Sequence, residues 1–275
     1  MVKVFLKLLL CIIINSIVFI ITNGVLPFSQ GLTEANSSAN PMSVLMFLPI
    51  RSAFLCFTMY FIIRNTGLGG KKLFLNLLFV MFFITSFTQH IDTLFIGSAF
   101  PVMTRLDIIL IILSGLFALL ATVPLLVYFF QNKDNTVEKI ELNIKSLILK
   151  LGIIGIIYLI IYMFFGVFII MRIEEFRVFY SAIEVNPIML FPFQILRGIL
   201  LGIFILPLMK MVKTKKIFII SICLVYLCMA VDLILPNVLL PTNIRIAHLI
   251  EMTISMVLFG IIVGSIMWGK QKTSA

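Results

Sequence analysis

Only two histidines occur in the chain, and one lies in RIAHLIEMTISMVLFGIIVG (245–264), a stretch otherwise built like a membrane helix. At about 100° per residue, Arg245, His248, Glu251 and Ser255 fall on one helical face, and Ile, Leu, Met and Val cover the rest. An imidazole one turn from a carboxylate can ligate a metal, hold a substrate, move a proton or close an internal ion pair. The other histidine, His90, stands two residues before Asp92 in TSFTQHIDTLF. Taken together, His90, Asp92, His248 and Glu251 offer two imidazoles and two carboxylates, a donor set that suits zinc or a similar divalent ion. No HExxH or comparable spacing accompanies them, so the pattern requires no cofactor and a divalent metal is the one that would fit. The preferred reading is plainer: Glu251 pairs with a buried arginine, and His248 is its hydrogen-bonding neighbour.

The arginines supply the candidate partners. All 14 lysines fall in segments that share one side of the membrane, accompanied by Arg64 alone. The remaining six arginines, Arg51, Arg105, Arg172, Arg177, Arg197 and Arg245, map to the opposite half with eight of the 11 acids and both histidines. Arginine stays charged and grips carboxylates or phosphates bidentately, which suits a partly desolvated site. Arg51 and Arg197 lie deepest, well inside apolar runs. A charge there costs roughly 2.5–3.5 kcal/mol on insertion scales, so each must face the bundle and find a partner. Asp107 and Glu251, near the corresponding ends of their spans, are the expected partners within each half of the chain. Arg51, Arg197, His248, Glu251 and Arg245 are therefore the candidate ligand-binding residues.

These side chains need a scaffold, and the composition allows one kind. The 275 residues are 62% hydrophobic and 12% charged, with a mean hydropathy of +1.22. A soluble domain of that composition would lack the polar residues to cover its surface. Runs long enough to cross a bilayer fall near 4–26, 42–63, 73–95, 106–130, 147–171, 188–209, 217–238 and 245–268. The expected fold is an all-α polytopic membrane protein of eight transmembrane helices. Lysine placement puts both termini on the cytoplasmic side, and the Ile-, Phe-, Lys- and Asn-rich composition points to a bacterial cytoplasmic membrane. The net charge of +10 then serves orientation and anionic lipid, not nucleic acid. Cys11, Cys56, Cys223 and Cys228 all lie inside spans without a CxxC and read as spectators. The first span follows Lys3 and Lys7 as a signal sequence would, but no small-residue cleavage motif comes after it, so a retained helix is expected. Asn36-Ser37-Ser38 forms a glycosylation sequon that has no role in a bacterial membrane.

Several landmarks recur. PMSVLMFLPIRSAFLC (41–56) and PIMLFPFQILRGILLG (187–202) share Pro, nine residues, Arg, a small residue, three apolar residues and another small residue. KKLFL at Lys71 matches KKIFI at Lys215, Asp92 matches Asp232, and Arg105 matches Arg245. The offset drifts only from 146 to 140. Two parallel four-helix halves are expected, 1–131 and 146–275, joined by a cytoplasmic linker at 132–145 and related by an axis along the membrane normal. The pairs Gly198/Gly202, Ser52/Cys56 and Gly260/Gly264 have the small-xxx-small spacing that lets helices approach closely within the chain.

Glu174-Glu175-x-Arg177 resembles the double-glutamate motif of the CAAX-processing intramembrane proteases, which are also polytopic. That family places its arginine further along and adds histidines in later helices that this chain lacks, so no role is carried over. Residues 172–186 read instead as an amphipathic turn at the membrane surface.

The functional expectation is an outward-facing polar chamber that binds or transports a small anionic or amphipathic molecule. Two other classes stay open: an outward-facing membrane enzyme using His90, Asp92, His248 and Glu251 on a lipid-linked substrate, and a non-catalytic subunit of a larger complex. The bilayer is the one certain partner of such a sequence; nothing in it names a protein partner.

Overall fold

A computed structural model of the chain describes residues 2–37, 41–95, 103–132, 143–181, 187–236 and 240–268. Eight helices are long and apolar enough to cross a membrane: Val2–Val25, Met42–Arg64, Gly70–Phe95, Arg105–Phe130, Ile144–Arg172, Ile188–Met211, Lys215–Ile234 and Thr242–Met267. The protein is an all-α polytopic membrane protein, as its hydropathy requires. Helix is the forced solution in hydrocarbon, where each backbone amide must be satisfied within its own segment. Two short helices lie outside the spans, α1 (Gln30–Ser37) and α2 (Glu174–Ser181). Of the linker expected at 132–145, residues 133–142 fall outside the described residues, as do Glu184, Lys270, Lys272 and the last residue of the sequon.

Local chemistry sets the helix ends. The second and sixth spans open on Pro41 and Pro187, where the missing N–H costs nothing. Thr104 and Asp107 close a capping box at the start of the fourth span, and the Thr214 side chain accepts from the Ile217 amide at the start of the seventh. The seventh span ends earlier than its hydropathy predicts, in a 3-10 turn at Asp232–Ile234 just before Pro236. The third and fifth spans each contain a π-helical stretch, Phe82–Thr88 and Phe164–Ile169. In the third, the Thr88 hydroxyl donates to the Phe83 carbonyl at 2.6 Å. The wider turn rotates the face that follows, Gln89 to Phe95, relative to an ideal helix.

Packing follows a regular scheme. The first span lies against the second and fourth, and the third against the fourth. The fifth lies against the sixth and eighth, and the seventh against the eighth. The third span also meets the sixth and the seventh, and the second meets the seventh. One continuous apolar core runs through all of them. The small-residue positions sit at close crossings inside the chain. A Cβ on Gly198 would stand 2.5 Å from Cβ of Tyr158 and 3.0 Å from Cα of Gly155, and one on Gly260 would stand 2.9 Å from Sγ of Cys223. Ser52 instead accepts a hydrogen bond from Ser16 at 3.0 Å.

The lysine-bearing ends of the spans gather at one end of the bundle. There the Lys150 ammonium donates to the Met267 carbonyl, Arg64 donates to Asn132, and Lys7 lies over the Phe129 ring. An isolated antiparallel bridge joins Thr66 to Val212, beyond the second and sixth spans. The arginines other than Arg64 belong to the opposite half.

Candidate functional site

Both deep arginines point into the bundle. Arg51 is 7% exposed and Arg197 6%, in helices whose other faces carry exposed apolar side chains. Their partners are not Asp107 and Glu251. Arg51 donates through Nε to Oδ1 of Asp232 at 2.5 Å, from the second span to the seventh. Arg197 pairs through Nη1 with Oδ2 of Asp92, from the sixth span to the third. The expected pairing within each half is thus replaced by two pairs that cross between the halves.

The acids first expected as partners have other work. Asp107 accepts from the Ser29 amide and hydroxyl and from the Thr104 amide and hydroxyl, each at 2.7 Å. It holds the start of the fourth span to the segment before α1, a capping task that consumes its carboxylate. Among the described residues Glu251 has only His248 within reach: Nδ1 stands 3.4 Å from Oε2. The other imidazole nitrogen, Nε2, meets the Tyr180 hydroxyl at 2.6 Å, and the His248 ring packs edge-on against Phe176 at 5.0 Å between centroids. Helix α2 is therefore fastened to the eighth span by Tyr180 and by Phe176, which is 1% exposed. Burial raises the Tyr180 phenol above its ordinary pKa, so it stays protonated and can donate to His248. Glu174 and Glu175 are exposed in the first turn of α2, where carboxylates suit the helix dipole.

Arg245 is occupied as well. Its Nη1 donates to the carbonyls of Leu233 at 2.9 Å and Ile234 at 2.8 Å, closing the end of the seventh span. His90 does not join His248. Its Nδ1 lies 2.7 Å from the Ser86 carbonyl one turn earlier, and its charged neighbours are Asp232, Arg51 and Arg197. Of the four residues of the metal reading only His248 and Glu251 meet each other, while His90 turns to Ser86 and Asp92 to Arg197; among the described residues no three of His, Cys, Asp or Glu converge on one point.

The polar cluster around the Arg197–Asp92 pair holds more than its two charges. The Arg197 guanidinium lies 5.6 Å from the centroid of the Tyr158 ring. Tyr158, Tyr162 and Tyr180 all lie within electrostatic reach of both Asp92 and Glu251. Several buried atoms here have no hydrogen-bond partner among the described residues: Nε of Arg197, Oδ1 of Asp92, Oε1 of Gln89 and both amide atoms of Gln194. Gln194 is 1% exposed and one turn from Arg197. Leaving such a group dry costs about 1–3 kcal/mol, so a buried amide without a partner calls for a water or a ligand group. The Arg51–Asp232 pair leaves fewer atoms unmatched: the guanidinium lies over the Phe19 ring at 4.6 Å, and of the pair's buried atoms only Nη1 of Arg51 lacks a partner among the described residues.

Sequence reasoning singled out Arg51, Arg197, Asp92, Asp232, His248 and Glu251, and the structure brings these into one half of the bundle. It passed over Gln194, Tyr158 and Tyr162, and read Tyr180 only as an aromatic of the interfacial turn. Gln194 carried a readable signal, a lone amide one turn before an arginine in a helix otherwise apolar. No family model matches the chain, and no curated protein or solved structure matches it.

Proposed function

We propose that this integral membrane protein encloses a polar chamber that binds or carries a small amphipathic molecule, and that the chamber faces outward, with the lysine end and both termini in the cytoplasm. The observation that carries this reading is the Gln194 amide, fully buried and wholly unpartnered beside an ion pair with its own unused atoms. A structural salt bridge needs no such neighbour, and selection for stability alone would favour an apolar residue there. The chamber takes its walls from the third, fifth, sixth and eighth spans, and tyrosine rings give it an amphipathic lining.

The same proposal includes the duplication, in halves 1–131 and 146–275. Three features support it. The ion pairs exchange partners, first-half arginine with second-half aspartate and the reverse. The bridge between Thr66 and Val212 joins residues with the same separation as Arg51 and Arg197. The packing scheme of the spans maps onto itself at nearly every contact when the halves are interchanged. Reciprocal contacts of this kind are what a twofold relation produces.

The experiment is native mass spectrometry on protein purified gently in nanodiscs. Wild type should carry a bound small molecule that Gln194→Leu has lost. Should both proteins fly empty, with the leucine variant the more stable, Gln194 is a tolerated defect and the chamber reading falls.

A further inference from the structure

Four carboxylates lie within the spans, and three are matched. Asp232 meets Arg51, Asp92 meets Arg197, and Asp107 accepts four hydrogen bonds at the start of the fourth span. Glu251 is the fourth. Among the described residues no arginine or lysine reaches it, although its side chain is only 15% exposed. Its histidine neighbour stands at 3.4 Å and is engaged on its other side by Tyr180. Arg245, the nearest arginine along the helix, is turned to two backbone carbonyls.

A carboxylate inside a span with no arginine or lysine partner is costly, and beyond His248 the groups within electrostatic range of it include the phenols of Tyr158, Tyr162 and Tyr180, whose rings favour positive charge. An anion entering the same space would meet two carboxylates, with the Arg197 guanidinium already neutralised by Asp92. Resting on the chamber reading above, we infer that the occupant carries a positively charged nitrogen, a protonated amine or small ammonium group, seated between Glu251 and the rings of Tyr162 and Tyr180. The uncharged polar part of the molecule bonds to the Gln194 amide and to the free Nε of Arg197. Neutralising Glu251 and satisfying Gln194 by one molecule explains why both are unmatched without it.

Three probes of one shape separate charge from shape: benzylammonium, benzyl alcohol and benzoate, each titrated against the thermal unfolding of the full chain in nanodiscs at neutral pH. For wild type the expected order of protection is benzylammonium, then benzyl alcohol, then benzoate, with about a tenfold lower half-saturating concentration for the amine than for the alcohol, a difference of one matched charge. Glu251→Gln should erase the advantage of the amine over the alcohol, Glu251→Asp should keep part of it, and Glu174→Gln, on the exposed face of α2, should leave it unchanged. The wild-type order is decisive even where a variant fails to fold. Benzoate protecting best, or an amine advantage that survives in Glu251→Gln, would overturn the inference. Equal protection by all three, lost in Gln194→Leu, would overturn the charge assignment while leaving the chamber standing. No protection by any probe, with none of them sensitive to Gln194, would end both.

Discussion

Asp92→Asn tests the crossed ion pairs most directly. The Arg197 side chain is 6% exposed and, among the described residues, has one carboxylate partner; Tyr158 offers it a ring face. The amide keeps the shape of the aspartate but strands a positive charge in a medium that solvates it poorly. Breaking a buried pair on one side costs about 3–5 kcal/mol. The Asp92 side chain is a quarter exposed, and partial access to water places the expected loss at about 3 kcal/mol. At roughly 2–4 °C per kcal/mol for domains approaching this size, the unfolding midpoint should fall by ~6–12 °C. The assay is thermal unfolding followed by size-exclusion recovery, repeated for the double variant Asp92→Leu with Arg197→Met. Removing both charges eliminates the stranded ion, so the double variant should regain most of the loss, giving a strong coupling between the two sites. Asp107→Asn serves as the contrast: it loses the charge of a helix cap and should cost about 0.5–2 kcal/mol, with no rescue by any arginine change. An Asp92→Asn midpoint within 2 °C of wild type, or a double variant as unstable as the sum of its singles, would refute the pairing.

Three further outcomes are expected. Thr66→Cys with Val212→Cys should form a disulfide under mild oxidation, since bridged antiparallel residues bring their Cα atoms about 4.5–5.5 Å apart, within disulfide reach; a chain that stays unlinked by gel mobility after digestion contradicts the bridge. Gly198→Leu should destabilise strongly, because its first added carbon already meets Tyr158 and Gly155, whereas Gly152→Leu, with nothing within 4 Å, should be tolerated; similar recovery of the two after detergent extraction would contradict the close crossing. Single cysteines placed in 27–37 should react with an impermeant maleimide added outside intact cells, and cysteines at 143–146 should not; the reverse pattern inverts the orientation.

The membrane fold was legible in one dimension because hydrocarbon leaves the backbone no choice. Each apolar run must close its hydrogen bonds on itself, so run length alone identifies a span. The sorting of lysine from arginine was legible for a similar reason, since a charge in a span must face inward wherever its partner stands. Which partner it finds is another matter. Periodicity places Arg51 and Arg197 on a helical face but says nothing about the helix opposite, and proximity along the chain favoured Asp107 and Glu251. Asp107 was claimed by the Thr104 and Ser29 amides, nearer and already oriented. The partners that remained, Asp232 and Asp92, arrive only when the second span packs against the seventh and the third against the sixth, and the π-turn at Phe82–Thr88 sets which way the face from Gln89 to Phe95 looks. Tertiary packing alone decided that, among the described residues, Glu251 would meet no arginine or lysine and Gln194 no hydrogen-bond partner, because both are statements about what the neighbouring helices do not supply.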